Sequence, residues 1–249
     1  MEKLEAELEH HKNVLPGADK AYIEKKRIFW DSVLDLVRKH NGGKIGRPVL
    51  EVGNGPFGAF LALDGKDTVC VDPLNGEYRK FPHFSALRSR FIDSGMESVG
   101  DIGRFSTIIS YNALDHVDDP EKTVARMLEL SSEDAIFLIG VDYYGSGLLK
   151  GFMHAFRRQI DAPHPHHFGL GELKAMFGKD FEILEIAGNS GFKAFGEKLP
   201  EQKGLSAVSS AYRLAYSIGK RFGMGGKEAN LGIKKMAVFV MRKKSAVEE

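Results

Sequence analysis

The sequence predicts an α/β domain built on a parallel sheet, and three stretches carry that expectation. Val49 to Val52 is an apolar run that ends in Gly53, Gly55 and Gly58, the pattern of a buried strand, a tight turn and a helix start. Thr68 to Val71 is a second apolar run, and it stops on Asp72. Further on, an apolar strand at Thr107 to Ile109 is followed by a helix through Val124, Met127, Leu128 and Leu130, then by another strand at Ala135 to Val141. Strand–helix alternation at this spacing requires right-handed crossovers and hence parallel neighbours.

Composition bounds the function. With 249 residues, 43% of them hydrophobic, the chain can bury a sizeable core as one α/β domain with appended helices. A net charge of +1 argues against general nucleic-acid binding, although 10 Lys or Arg stand against the single acid Glu228 between Lys203 and Lys244. The one cysteine, Cys70, sits inside a strand pattern, so it reads as a small core residue in a reducing compartment. The start, MEKLEAELEHHK, has no signal-peptide apolar centre, and no run approaches the ~20 apolar residues of a spanning helix. A soluble, cytoplasmic protein is the expectation.

Taken in order, residues 1–20 are a polar lead-in. Ile23, Trp30, Val33, Leu34 and Val37 then fall at helical spacing up to Asn41-Gly42-Gly43. This gives an expected division into a helical lead-in over 1–45 and a main domain over 46–249. Trp30 is expected to anchor packing, on a helix that could wall the ligand pocket. After Asp72 come a short helix, an irregular stretch and a third strand near Phe91-Ile92. Ser94-Gly-Met-Glu97 lies beyond that strand's end, where ligands sit in α/β sheets and where an adenine could be flanked. The strand at 107–109 runs into Ser110-Tyr111-Asn112. Asp118-Asp119-Pro120-Glu121 opens the next helix, its acids read as caps and its proline in the first turn. The strand at 135–141 ends in Asp142-Tyr143-Tyr144.

The glycine turn and Asp72 together describe a nucleotide site. Glycines let the backbone approach a ligand, free N–H groups at a helix start favour its polar part, and a carboxylate after the second strand suits ribose hydroxyls. Two cofactor classes fit. A nicotinamide or flavin enzyme would use Gly53, Gly55 and Gly58 around a pyrophosphate. An S-adenosylmethionine enzyme would use Glu51 to Gly55 around the amino-acid part of its cofactor.

Val49-Leu-Glu-Val-Gly-Asn-Gly-Pro56, Val71-Asp72 and Ile108-Ile-Ser-Tyr-Asn-Ala-Leu-Asp-His-Val-Asp-Asp-Pro120 resemble the successive motifs of class I S-adenosylmethionine-dependent methyltransferases. The similarity covers about residues 45–145 and continues more weakly through His166-His-Phe168, Phe181 to Ala187 and Met236 to Met241. It implies a Rossmann-like, doubly wound, seven-stranded sheet, mostly parallel with the last strand antiparallel and helices on both faces. It also implies cofactor contacts by Glu51, Gly53, Asn54, Gly55, Asp72, Asn112, Ala113 and Leu114. The sequence departs from the family pattern at Phe57, which stands where the third alternate glycine is usual, with Gly58 following. The dehydrogenase reading explains the three glycines but gives no account of Asn112 to His116. A third reading is a methyltransferase-like module that binds without catalysis.

Methyl transfer to a hydroxyl needs a base near the strand tips. His116, Asp142, His166 and His167 are the candidates, with Asp115, Tyr143, Tyr144 and His164 nearby. His116 also has a plainer role, bonding its own turn. His164-Pro-His-His167 with Asp161 could be read as a metal site, but adjacent histidines rarely converge on one ion, so no metal is expected. Helical insertions at about 146–170 and 189–233 would shape the acceptor side. The first holds an amphipathic helix at Leu148 to Ile160 and the second one at Leu205 to Phe222. The basic face of the second is read as solvated, ahead of a lid that attracts an anionic acceptor or a helix on a membrane surface. The expected activity is methyl transfer to a small molecule, at oxygen, with a sugar or a lipid-linked or phosphorylated glycan as acceptor.

Overall fold

The computed structural model describes residues 4, 8, 9, 19–147, 150, 151, 165–188, 192 and 234–244. Helix α1 (Lys20–His40) starts where Asp19 Oδ1 accepts the Tyr22 amide at 2.8 Å and ends at Asn41. Its stripe of Phe29, Trp30, Val33, Leu34 and Val37 is buried. Burying one such side chain is worth about 1.5–3 kcal/mol gross, so this stripe commits the lead-in to the sheet. The far end is tied down as well: Lys39 and His40 reach Glu185 at 2.9 and 2.7 Å.

The strands are β1 (Val49–Val52), β2 (Thr68–Val71), β3 (Arg90–Ile92), β4 (Phe105–Tyr111), β5 (Ser131–Tyr144), β6 (Phe168–Gly169), β7 (Phe181–Gly188) and β8 (Lys234–Lys243). They form one sheet in the order β3-β2-β1-β4-β5-β8-β7. β1 lies parallel to both β2 and β4, and β5 lies parallel to β4, while β8 runs antiparallel between β5 and β7. Seven strands and a reversed last one match the expectation. The difference is β6, a two-residue strand that pairs with Tyr143 and Tyr144 beyond the main path. β5 is also longer than expected. It spans 14 residues because Asp142, Tyr143 and Tyr144 still have partners in Met236, Lys235 and Lys234.

Between the strands lie α2 (Phe60–Leu63), α3 (Asn75–Tyr78), α4 (Pro120–Glu129) and α5 (Leu170–Gly178), with 3-10 turns at Pro82–Phe84 and Met96–Ser98. β1 and β2 are buried at every position, as strands covered on both faces must be. On one face, Leu50, Val52, Ile108, Phe137 and Ile139 pack against Val124 and Met127 of α4 and Leu173 and Phe177 of α5. On the other, Val49, Ile109, Ile136 and Leu138 pack against α1. A satellite cluster of Phe60, Leu74, Tyr78 and Phe84 encloses Cys70, a core residue as expected, whose thiol burial pushes up.

The expected capping pair at α4 resolves into two roles. Asp119 is the cap, its Oδ1 accepting the Lys122 amide at 3.0 Å. Asp118 is not a cap; its own amide donates to Glu97 Oε1 at 3.1 Å. Among the described residues no helix is long and apolar enough to cross a membrane. The predicted helices at 148–160 and 205–222 lie outside the described residues, apart from Lys150 and Gly151.

Candidate active site

The chain order β1-β2-β3 proceeds outward in one direction, then returns so that β4 lies on the other side of β1. In an open α/β sheet such a reversal leaves a crevice beyond the carboxyl ends of the two strands. Here that crevice lies between the glycine turn after β1 and the Asn112 turn after β4. The two turns meet closely. Gly53 has φ +67°, and a Cβ there would stand 2.3 Å from the Cβ of Ala113. Asn112 also has positive φ, 54°, and its amide donates to Gly140 O at 2.8 Å, which holds the second turn against β5.

Glu51 overturns one expectation. The helix start after the glycines was read as a free donor site, but Glu51 fills it from within. Its Oε1 accepts the Ala59 amide at 2.5 Å and its Oε2 the Phe60 amide at 2.8 Å. Glu51 is 2% exposed, facing the protein interior below the turn. Gly58 has its reason here, since a Cβ would lie 2.3 Å from Glu51 Oε1. Burial pushes the Glu51 carboxyl up to about 8, against the two amides that favour its charged form. A folded-state value above the ordinary 4.5 means the native protein holds this proton more tightly than the unfolded chain. The contribution to stability is therefore complete below pH ~4.5 and is lost as pH rises to ~8, with a slope of up to ~1.4 kcal/mol per pH unit. Denaturant titrations across this range are expected to show that slope in the natural protein and its loss in Glu51→Gln.

Other residues fix the turn from outside. Trp30 Nε1 donates to Phe57 O at 2.6 Å, and His83 Nε2 lies 3.0 Å from Pro56 O. The Phe57 ring stacks on His83 at 5.4 Å and meets the edge of Tyr22 at 5.1 Å. Phe57, the departure from the family pattern, is thus a clamp on the turn. Trp30 anchors packing as expected, and it also braces the turn by a hydrogen bond.

Asp72 lies at the tip of β2, 5% exposed, with Oδ2 accepting the Gly55 amide at 3.0 Å and Oδ1 the Leu74 amide at 2.8 Å. A carboxylate has about four lone-pair positions, so two backbone hydrogen bonds do not by themselves exhaust its accepting capacity. Asn75 ties this strand tip to the turn. Its Oδ1 accepts from Asn54 Nδ2 at 2.9 Å, and its own Nδ2 reaches Cys70 O and Ile92 O at 3.2 and 3.0 Å. His83 and Asn75 belong to no motif, and they stand 21 or more residues along the chain from the turn atoms they bond, so nothing local marked them.

The remaining candidates divide clearly. Ala113 and Leu114 are both buried, Leu114 within the core. Asp115 is 1% exposed, and its Oδ1 is 3.9 Å from His116 Nε2. His166 turns toward the loop before α4, with Nε2 at 3.0 Å from Val117 O and 3.3 Å from Asp118 O. His167 is buried with its ring against Tyr144 at 5.4 Å. The two histidines therefore point to different neighbours. His164 and Asp161 lie outside the described residues, and among those described no cluster of His, Cys, Asp and Glu could hold a metal. Asp142 is half-buried within β5, opposite Met236. Glu97, read as an adenine neighbour, spends its Oε1 on the Asp118 amide. A cavity of about 490 Å³ is lined by Glu121, Lys150, His166, His167, Glu172 and Met176, and none of the glycine-turn residues lines it.

No protein-family model matches the sequence, and no curated protein does. Solved structures do match in fold. The YcgJ protein of Bacillus subtilis shares 19% identity over 86% of this chain and 99% of its own, with a TM-score of 0.57. The 1,6-didemethyltoxoflavin-N1-methyltransferase of Burkholderia thailandensis, solved with S-adenosylhomocysteine, shares 15% over 98% of this chain and 88% of its own, at 0.54. An O-methyltransferase from a trans-AT polyketide synthase of Brevibacillus brevis, also solved with S-adenosylhomocysteine, shares 15% over 87% and 72%, at 0.53. The chain thus has the fold of S-adenosylmethionine-dependent methyltransferases, as the motif resemblance implied.

Proposed function

We propose that this protein transfers a methyl group from S-adenosylmethionine to an oxygen of a small-molecule acceptor, with sugars and lipid-linked or phosphorylated glycans as the acceptor class. The observation that carries this reading is the Glu51 carboxylate on the amides of Ala59 and Phe60. A dinucleotide enzyme needs such amides for its pyrophosphate, and here Glu51 already occupies them. A zwitterionic amino-acid group makes no such demand. The residues of the crevice fit the adenosyl cofactor: Asp72 offers acceptors for a ribose diol, Gly55 has nothing within 4 Å of where a Cβ would stand, and Asn54 Oδ1 is a buried acceptor with no donor among the described residues. The shared fold with proteins solved holding S-adenosylhomocysteine supports the same assignment.

S-adenosylmethionine, when bound, supplies an electrophilic methyl on its sulfonium. The chain's own part is to orient, exclude water and take a proton. Positioning by a rigid crevice accounts for much of the rate in such a displacement. For the proton we assign His116 Nε2, with the Asp115 carboxylate at 3.9 Å stabilising the imidazolium that forms. His166 is occupied with the carbonyls of Val117 and Asp118, and His167 is packed against Tyr144.

Calorimetry with S-adenosylmethionine, S-adenosylhomocysteine and NAD(H) tests the cofactor, and turnover with candidate acceptors separates an enzyme from a binding module. Binding of NAD(H) in place of the adenosyl ligands would overturn the assignment. Asp72→Ala is expected to weaken S-adenosylhomocysteine by about 1–3 kcal/mol, the range for hydrogen bonds to a charged group. Unchanged affinity would mean that the ribose binds elsewhere.

A further inference from the structure

Lys26 stands where an apolar residue is expected. Tyr22, Lys26, Phe29 and Val33 follow the spacing of one helix face, the face that α1 turns toward the sheet. The side chain is half-buried, its Nζ lying 5.6 Å from the Tyr22 ring centre and 5.8 Å from that of Phe29. The nearby acids of α1 are engaged with other cations, Glu24 with Arg27, and Asp31 and Asp35 with Arg38. Among the described residues Lys26 has no carboxylate partner. Burial pushes its ammonium below the ordinary lysine value, as expected for a charge held without a counterion.

The rings fix its place relative to the crevice. Tyr22 meets Phe57 of the glycine turn at 5.1 Å, and Phe29 meets Tyr111, the last residue of β4, at 5.9 Å. The two rings beside Lys26 thus connect one to the glycine turn and the other to the end of β4. A cation flanked by aromatic faces is suited to a ligand with an anionic group on a planar or apolar body. A lysine that only snorkels would extend to water and spare itself the desolvation.

We propose that Lys26 is the specificity-determining residue for the acceptor, selecting molecules that carry a carboxylate or phosphate. This rests on the crevice being a methyl-transfer site, with α1 as one wall of its acceptor side.

Trp30 is the only tryptophan in the chain, and it packs 5.4 Å from Phe29 and 5.1 Å from Tyr111, so its emission reports on this wall. Benzoate, phenyl phosphate and the uncharged benzamide serve as probes, titrated with S-adenosylhomocysteine present and absent. The expected result is that both anions shift Trp30 emission at concentrations at least tenfold below benzamide. Lys26→Gln should erase that preference, Lys26→Arg should restore most of it, and benzamide should bind all three proteins alike. Benzoate against phenyl phosphate then tells which anion the site prefers. Anions that bind no better than benzamide, or equally well to Lys26→Gln, overturn the proposal. Calorimetry with S-adenosylhomocysteine on the same proteins keeps the two readings apart. Intact cofactor binding without anion preference removes Lys26 alone. Anion binding that depends on Lys26, without cofactor binding, removes methyl transfer and leaves the anion site standing.

Discussion

Replacing His116 by Gln is expected to lower kcat by about 10²–10⁴, the range for loss of a positioned general base, and to leave S-adenosylhomocysteine affinity nearly unchanged. His116 sits in the turn after β4, its amide bonded to Ala113 O at 2.9 Å and its ring beside the buried Asp115. The main-chain bond survives the substitution, so the turn keeps its shape while the proton acceptor is lost. Asp115→Asn should give a smaller loss together with a shift of the acid limb of the pH–rate profile to lower pH. That direction follows because removing a carboxylate beside an imidazolium destabilises it, so the neutral base persists to lower pH; in His116→Gln the same limb should vanish. Steady-state kinetics from pH 5 to 9 with an accepted hydroxyl substrate gives both readings. A His116→Gln enzyme within a fewfold of the natural rate would return His116 to the plainer role of bonding its own turn.

The second large effect belongs to Gly53. An alanine there meets two obstacles at once, a positive φ of +67° and a contact 2.3 Å from the Ala113 Cβ. Overpacking costs about 1–3 kcal/mol and a strained backbone position about 1–3 kcal/mol more, so a loss of about 2–6 kcal/mol is expected for Gly53→Ala. Gly55 is the control. It shares the positive φ, at +53°, but an added Cβ there meets nothing within 4 Å. Gly55→Ala should therefore cost stability only through its backbone, about 1–3 kcal/mol, while losing cofactor affinity because the methyl group enters the space a ligand would use. Urea unfolding and calorimetry with S-adenosylhomocysteine measure the two quantities separately. Equal destabilisation by both variants would show that the β4 turn gives way without cost.

How much of this was legible beforehand depends on the range of the interaction. β1 and β2 were placed to the residue, because a short apolar run bounded by Pro48 and Gly53, or by Asp67 and Asp72, has definite ends. β5 was drawn too short, since Asp142, Tyr143 and Tyr144 look like a polar strand end until β8 arrives opposite them. Asp118 and Asp119 looked alike in sequence; the fold made Asp119 the cap of α4 through the Lys122 amide, while Glu97, from the turn after β3, accepts both of their main-chain amides.

The sequence by itself determined the alternation of elements, the tight turn at Gly53, the polar strand end at Asn112, and the acid at the end of β2. These follow from local rules of hydrophobic period, glycine freedom and strand length, which neighbours in the chain settle among themselves. Only the tertiary structure decided what Glu51, Gly58, Phe57 and Lys26 do. Glu51 caps a helix start eight residues on, Gly58 exists to make room for that carboxylate, and the rings of Tyr22 and Phe29 beside Lys26 meet Phe57 and Tyr111 of other elements. Burial and partnership depend on which elements pack together, and a charge changes its meaning once the water around it has been replaced by protein.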